Sequence, residues 1–461
     1  MDRGQLSTHS DASTEIGTLR HKKFSRRQWL AAAGATIGAA AWRGDGVLAQ
    51  QATPVGSPIA TPVAVDRDWR DEEWVGTWAA APHTPFPAFE DFPSQLIELD
   101  NQTIRQIVRT TVGGDRVRVR FTNAYGEAPL EIGAARIALR DTEARIDPAT
   151  DRALSFNGNP GVTIPVGAIV LSDPVELTVP ALTELAISTY LPEPSPTHTV
   201  HGFAFQTNYI SPAGDFTAET DMPVDATPQS WMFLSGVDAL VSEPTGVVVA
   251  FGDSITDGAF STPDTNRRWP DVLAERLLAE PPGRAMSVLN QGIGGNRLLH
   301  DGFGDIGLAF GQNALARFDR DVLAQPGVTH LIVLEGINDI GVPVMFGDAS
   351  QRVTADEIIG ALNQLIERAH QHGIAVFGGT LLPFQDSMIY TPEGDVTRQA
   401  VNDWIRTSGA FDAVIDFDAA TRDPGQPARL LPELDSGDHL HPNDAGFQAM
   451  GEAIDLALFQ S

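Results

Sequence analysis

Residues 246–258, GVVVAFGDSITDG, constrain this chain more than any other stretch. The run 247–251 is apolar without interruption, the pattern of a strand buried on both faces of a parallel sheet. Gly252 ends it, and Ser254 falls just past the carboxyl end, where open α/β sheets bind their ligands. A hydroxyl held there needs only a base beside it to become a nucleophile. Without a base, the same serine is an ordinary helix cap.

The sequence after residue 246 repeats a strand–loop–helix rhythm. Strands are expected over 247–251, 286–289, 329–334, 374–377 and 413–415. One intervening helix should open near Pro270, since proline suits a first helical turn. Another should open at Thr354, where Thr354-Ala-Asp-Glu357 reads as a capping box, and run toward Gly373. Alternating β and α predicts an α/β domain, a doubly wound parallel sheet, over 242–461.

Residues 73–241 have a different texture. Arg116-Val-Arg-Val-Arg-Phe121 alternates strictly, with Val117, Val119 and Phe121 on one face. A strand over 103–110 precedes it, and Gly113-Gly114-Asp115 reads as the turn of a hairpin between the two. Further strands are expected over 134–139, 175–179, 185–191 and 202–209, which together predict an all-β sandwich or jelly roll. Tyr125, Trp231 and Phe203 are expected in its core or at an interface, with a sugar-stacking platform as the alternative.

The N-terminal residues read as a leader. Lys22, Lys23, Arg26 and Arg27 precede a short apolar run over 29–42, and Val47-Leu48-Ala49 offers a cleavage site. Ser25-Arg26-Arg27-Gln28-Trp29-Leu30 resembles a twin-arginine export signal, with Trp in place of the usual Phe. Residues 1–49 are thus expected to be a signal peptide of an exported protein, an uncleaved anchor being the alternative. Residues 50–72, rich in Pro, Ala and Thr, are expected to form an extended linker.

Charge narrows the partners. With 60 Asp and Glu against 31 Lys and Arg, the formal net charge is −29, which argues against nucleic acid and against anionic membrane surfaces. Cysteine is absent, so disulfides, thiolate metal sites and a Cys nucleophile are excluded together.

Three more stretches fall at expected strand ends. Asn290-Gln-Gly-Ile-Gly-Gly-Asn296 brings backbone N–H groups close to a ligand but makes a poor dinucleotide fingerprint. Glu335-Gly-Ile-Asn-Asp339 places the Asn338 amide where it can be a turn residue or a donor to an oxyanion. Asp438-His-Leu-His-Pro442 supplies a candidate base, His441, and a carboxylate to orient it, Asp438. His439 is the rival base, Asp416 and Asp418 are rival orienters, and Asp438, His439 and His441 together could also form a weak metal cluster.

In order and spacing these four blocks resemble the SGNH, or GDSL-type, hydrolase superfamily, from about residue 247 to the C-terminus. The residues are Gly252-Asp253-Ser254 with Ile255 for the usual Leu, the Gly block ending at Gly295, Gly336-Ile-Asn338-Asp339, and Asp438-His-Leu-His441. The β region loosely resembles the extra domain of some bacterial relatives, including certain carbohydrate acetylesterases. The resemblance implies Ser254 as nucleophile, His441 as acid/base and Asp438 as its orienter. It also implies an oxyanion hole from the Ser254 and Gly295 amides and the Asn338 side chain. It implies a serine esterase needing no cofactor and no metal. Its expected substrate is a small-molecule or polysaccharide ester, most readily an acetylated carbohydrate. A broad short-chain arylesterase or lipase-like enzyme is the alternative, and a non-catalytic carbohydrate-binding protein a more distant one.

Overall fold

A computed structural model describes residues 73–88, 94–243, 245–280 and 285–459. The expected signal peptide and linker lie outside the described residues.

Two antiparallel sheets make the N-terminal part. Its main strands are β1 (Trp74–Ala79), β2 (Gln102–Arg109), β3 (Gly114–Thr122), β4 (Ala134–Thr142), β5 (Val175–Val179), β6 (Glu184–Leu191), β7 (Tyr209–Ala213) and β8 (Leu234–Leu240). One sheet runs β1–β8–β3, with β5 also paired to β3; the other runs β7–β2–β6–β4. Alternation explains what lies between them. Val117, Val119 and Phe121 of β3 meet Ile104 and Val108 of β2 and Leu185 and Ile187 of β6 in one buried core.

Two expectations fail here. β2 and β3 do not form a hairpin: β2 pairs with β6 and β7, β3 with β5 and β8, so the glycine turn carries the chain between sheets. Its neighbours' backbone groups are taken elsewhere, Thr110 N–H by Thr183 O and Thr111 N–H by Thr77 O. A side chain at Gly113 would fall 2.5 Å from Val179 O. The strand expected over 202–209 is mostly loop, lying between a two-residue bridge at Val200–His201 and β7. This loop turns toward the other half of the chain, where its residues find their partners.

The C-terminal part is the expected α/β unit. β9 (Val247–Gly252), α1 (Ser254–Asp257), α2 (Trp269–Leu278), β10 (Ser287–Gly292), β11 (Val328–Leu334), α3 (Ile337–Met345), α4 (Ala355–His370), β12 (Ala375–Gly379), α5 (Pro392–Thr407), β13 (Ala413–Ile415) and α6 (Asp444–Ala453) follow in turn. The parallel sheet is ordered β10–β9–β11–β12–β13. From β9 the chain therefore steps one way to β10 and the other way to β11 onward. Right-handed crossovers then place the helices on opposite faces and open a crevice at the carboxyl end of β9. The Thr354 capping box forms as expected, with Thr354 N–H donating to Glu357 Oε2 at 2.7 Å, and Gly373 follows the end of α4 in the left-handed region at φ 70°.

The two halves share a core. Val75 and Ala79 of β1 and Val112 are buried with the β9–β11 residues. Gly76 N–H donates to Pro326 O at 3.0 Å, and Ser287 Oγ donates to Gly76 O at 2.5 Å. The arginine face of β3 contributes as well, Arg120 donating to Gln325 Oε1 at 2.6 Å. Tyr125 takes the interface role, its hydroxyl accepting from Arg320 at 2.9 Å, while Trp231 is buried in the sandwich core.

One buried side chain holds the site end of the sheet together. The guanidinium of Arg317 donates to Gly252 O at the end of β9 (2.9 Å) and to Gln291 O in β10 (2.8 Å). It also reaches Asn296 Oδ1 (2.8 Å), Glu335 Oε1 just past β11 (3.3 Å) and Asp321 (3.2 Å). Truncation would leave the buried Glu335 without its cation and Asp321 with Arg320 alone. Arg317→Ala should therefore lower unfolding stability by about 3–5 kcal/mol in a urea titration. A loss below about 1 kcal/mol would show that the hub is dispensable.

Candidate active site

Ser254 owes its position to a turn that only small residues permit. A side chain at Gly252 would lie 2.6 Å from Leu334 O and 2.2 Å from Thr256 Oγ1. Asp253 then caps α1, its Oδ1 accepting from Ile255 N–H at 2.9 Å. Gly258 closes the same short helix at φ 100°, its N–H donating to Ser254 O at 2.9 Å. Ser254 sits at the first residue of α1 and lines a cleft of about 860 Å³.

The base arrives from the loop before α6. Ser254 Oγ lies 2.7 Å from His441 Nε2, and His441 Nδ1 lies 2.6 Å from Asp438 Oδ2. With Nδ1–H donating to the carboxylate, Nε2 is left as the acceptor facing the serine hydroxyl. Asp438 Oδ1 also accepts from the N–H groups of Leu440 (3.0 Å) and His441 (2.8 Å). Burial alone would push the Asp438 carboxyl up. The adjacent His441 and these hydrogen bonds outweigh it and hold the group well below the usual carboxylate range.

The rivals fall away on geometry. His439 is half exposed, turned to Asp435 at 2.6 Å. Asp416 pairs with Arg406, and Asp418 with Arg398, Arg406 and Arg422. The two histidines of the last block thus face different carboxylates. Among the described residues no three His, Asp or Glu side chains converge as a metal site would.

Gly295 and Asn338 line the same cleft. Gly295 has φ 76°, and a side chain there would overlap the Phe310 ring at 2.2 Å. Asn338 Nδ2 donates one hydrogen to Asn296 O at 3.0 Å, leaving its second N–H for the cleft. Asp339 braces this loop from below, accepting from Leu298 N–H (2.7 Å) and Leu299 N–H (3.0 Å). All five expected site residues, Ser254, Gly295, Asn338, Asp438 and His441, thus come to one cleft from four separate stretches of the chain.

Phe203, expected in the core, at an interface or on a sugar-stacking platform, lines the cleft; sequence reasoning missed the rest of its walls. Phe203 and Phe205, stacked with centroids 6.2 Å apart, come from the β part, and Phe260 packs 5.2 Å from the His441 ring. It also gave no role to Asp257, although that residue stands three positions after Ser254. Its position within the first block was the available signal.

Beneath Ser254 lie two carboxyl groups, Asp253 and Glu335, each with one oxygen lacking a partner among the described residues. Burial pushes Asp253 up to about 7, opposed by the Ile255 N–H and by His441, and burial with the neighbouring Asp253 raises Glu335 well above its ordinary value.

Residues 250–449 match the GDSL-like Lipase/Acylhydrolase family model. A search of curated proteins finds no match. Among solved structures, the chain resembles an acetylxylan esterase from Geobacillus stearothermophilus at 23% identity and a TM-score of 0.34, covering 46% of this chain and 94% of that one. It also resembles a GDSL-like lipase from Bacteroides thetaiotaomicron VPI-5482 at 18% identity and a TM-score of 0.35, over 48% and 92% of the two chains. An α/β hydrolase from the metagenome of Lake Arreo, Spain, gives 21% identity and 0.36, over 47% and 96%. At these identities and scores the structures carry no argument about activity.

A group whose folded pKa is raised keeps a proton that the unfolded chain has already released. The Asp253 contribution to stability is full below its ordinary value of 3.8 and is lost as pH rises through about 7. Asp253→Asn keeps the capping oxygen and removes the titration. The Tm of this variant should gain on wild type between about pH 4 and 7 and level off above that in a differential scanning series. Parallel Tm curves would contradict the assignment.

Proposed function

We propose that this chain is a serine esterase working through an acyl-enzyme, a reading supported by the match of residues 250–449 to the GDSL-like lipase/acylhydrolase family model. The observation that carries the reading is the unbroken series Ser254–His441–Asp438 at the mouth of the cleft. Ser254 Oγ attacks the ester carbonyl carbon, and its proton passes to His441 Nε2. Asp438 stabilises the resulting imidazolium through Nδ1–H. Negative charge gathering on the carbonyl oxygen is met by the N–H groups of Ser254 and Gly295 and by Asn338 Nδ2–H, each such donor contributing about 3 kcal/mol. The ester C–O bond then breaks, and His441 returns the proton to the departing alcohol. In the second half a water gives its proton to His441 and attacks the acyl carbon. Ser254 leaves with that proton and the acid is released.

Two substrate classes compete. Export and a β domain favour small acyl groups on carbohydrate, with the Phe203–Phe205 pair as a surface for a sugar ring. The cleft favours the second class, aryl or short-chain lipid-like esters. Its volume of about 860 Å³ far exceeds an acetyl group, and Phe260, Phe310, Val342, Met345, Met388 and Ile389 make it largely apolar. We therefore place an apolar acyl or aryl group in the cleft as the preferred substrate feature. Export through the twin-arginine route is part of the proposal, resting on Ser25–Leu30 and the apolar run that follows.

Ser254→Ala and His441→Ala should each lower kcat toward p-nitrophenyl esters by about 10³-fold or more with little change in Tm. Wild type should turn over the butyrate or octanoate ester with a higher kcat/KM than the acetate. Efficient acetate release from acetylated xylan, together with poor activity on the longer esters, would return the carbohydrate reading to first place. Full activity in Ser254→Ala would end the serine mechanism.

A further inference from the structure

The β part reaches the catalytic loops through one buried ion pair. His201, beside the bridge to Trp231, places Nε2 3.0 Å from Asp257 Oδ1, and both side chains are only 4% exposed. The other oxygen of Asp257, Oδ2, accepts from Gly294 N–H at 3.0 Å. Gly294 directly precedes Gly295, whose amide is the proposed oxyanion donor. Phe203 closes the same contact from above: a side chain on Gly294 would come 3.2 Å from its ring.

Protonation follows from the partners. His201 Nδ1 lies 2.9 Å from Ala81 O, and Nε2 lies 3.0 Å from the Asp257 carboxyl, an arrangement in which both ring nitrogens can donate. With both nitrogens donating, His201 meets Asp257 as a cation. Its neighbour His83 is the opposite case, with Nε2 accepting from Gly202 N–H at 2.9 Å. Burial and the adjacent His201 lower His83 to about 3, so it stays neutral. Asp257 itself lines the cleft beside Ser254. An uncompensated carboxylate there would repel the oxyanion that forms in the same space.

We infer that His201 is a positioning residue of the esterase: it orients Asp257 so that the carboxylate pins the Gly294–Gly295 loop, and it neutralises that carboxylate as negative charge develops on the substrate. The inference rests on the oxyanion assignment made above. The β part is then a component of the catalytic unit rather than an appendage to it.

The test compares variants of the full chain on p-nitrophenyl butyrate, with kcat expressed per serine titrated by a fluorophosphonate, so that misfolded protein does not count. His201→Asn keeps the bond to Ala81 O and deletes only the donor to Asp257. It should lower kcat by about 10–100-fold while KM moves less than about 3-fold, the size expected for a misplaced catalytic group. His201→Gln carries an N–H that can reach Asp257 and should stay within about 5-fold of wild type. Adding Asp257→Asn to His201→Asn removes the stranded charge yet leaves a carbonyl for Gly294 N–H, and should recover part of the lost kcat. Wild-type kcat in His201→Asn would overturn the inference, as would equal losses in the Asn and Gln variants or a double variant no better than the single. Ser254→Ala, run alongside, separates the two levels: activity in that variant sinks the serine mechanism and this inference together.

Discussion

A single guanidinium, that of Arg317, meets the ends of three adjacent strands where the chain reverses its stepping direction across the sheet. It binds backbone carbonyls of β9 and β10, the Asn296 side chain of the glycine loop and Glu335 beyond β11. Five charge-assisted contacts tie the ends of β9 and β10 to the glycine loop, to Glu335 and to Asp321. A buried cation is costly without such partners, and Asp321 and Glu335 supply them. The crevice is therefore rigid at its floor, which an oxyanion site needs: donors that must reorganise during the reaction lose most of their advantage.

Above this floor the site is assembled from both halves of the molecule. The α/β part supplies Ser254, Gly295, Asn338, Asp438 and His441, while the β part supplies the Phe203–Phe205 wall and His201. Shared burial of Val75, Ala79 and Val112 with the parallel sheet makes this joint firm. Hydrophobic packing holds the halves in register, and the His201–Asp257 pair transmits that register to the loop beside the nucleophile.

Most of the hydrolase part was legible in the sequence because its signals are local. Val247–Phe251 reads as a buried strand from five consecutive residues, and the first three blocks lie at strand ends that periodicity locates within a few positions; the fourth, Asp438–His441, was expected at a strand end but lies in the loop before α6, well beyond β13. Partnership was less legible. Alternation in Arg116–Phe121 tells which face is buried but not which strand lies alongside, so a glycine turn between two sheets reads like a hairpin turn. The segment 202–209 looks like a strand because Phe203, Phe205 and Tyr209 fall at alternate positions; in the fold its phenylalanines face a cleft on the other half of the chain. His201 carried no signal, since its partner lies 56 residues away and nothing in the local pattern distinguishes it from a core histidine. The resemblance alone preferred His441 to His439; geometry adds the physical reason, since the two share one short loop and face different carboxylates.

The central claim is that Ser254 is the nucleophile activated by His441, and covalent trapping tests it most directly. The intact chain would be treated with a fluorophosphonate and the adduct located by peptide mass spectrometry. The account predicts one stoichiometric adduct, on the peptide carrying Ser254, whose formation slows by about 10³-fold in His441→Ala. An adduct on another residue, or labelling of Ser254 at an undiminished rate without His441, would contradict it.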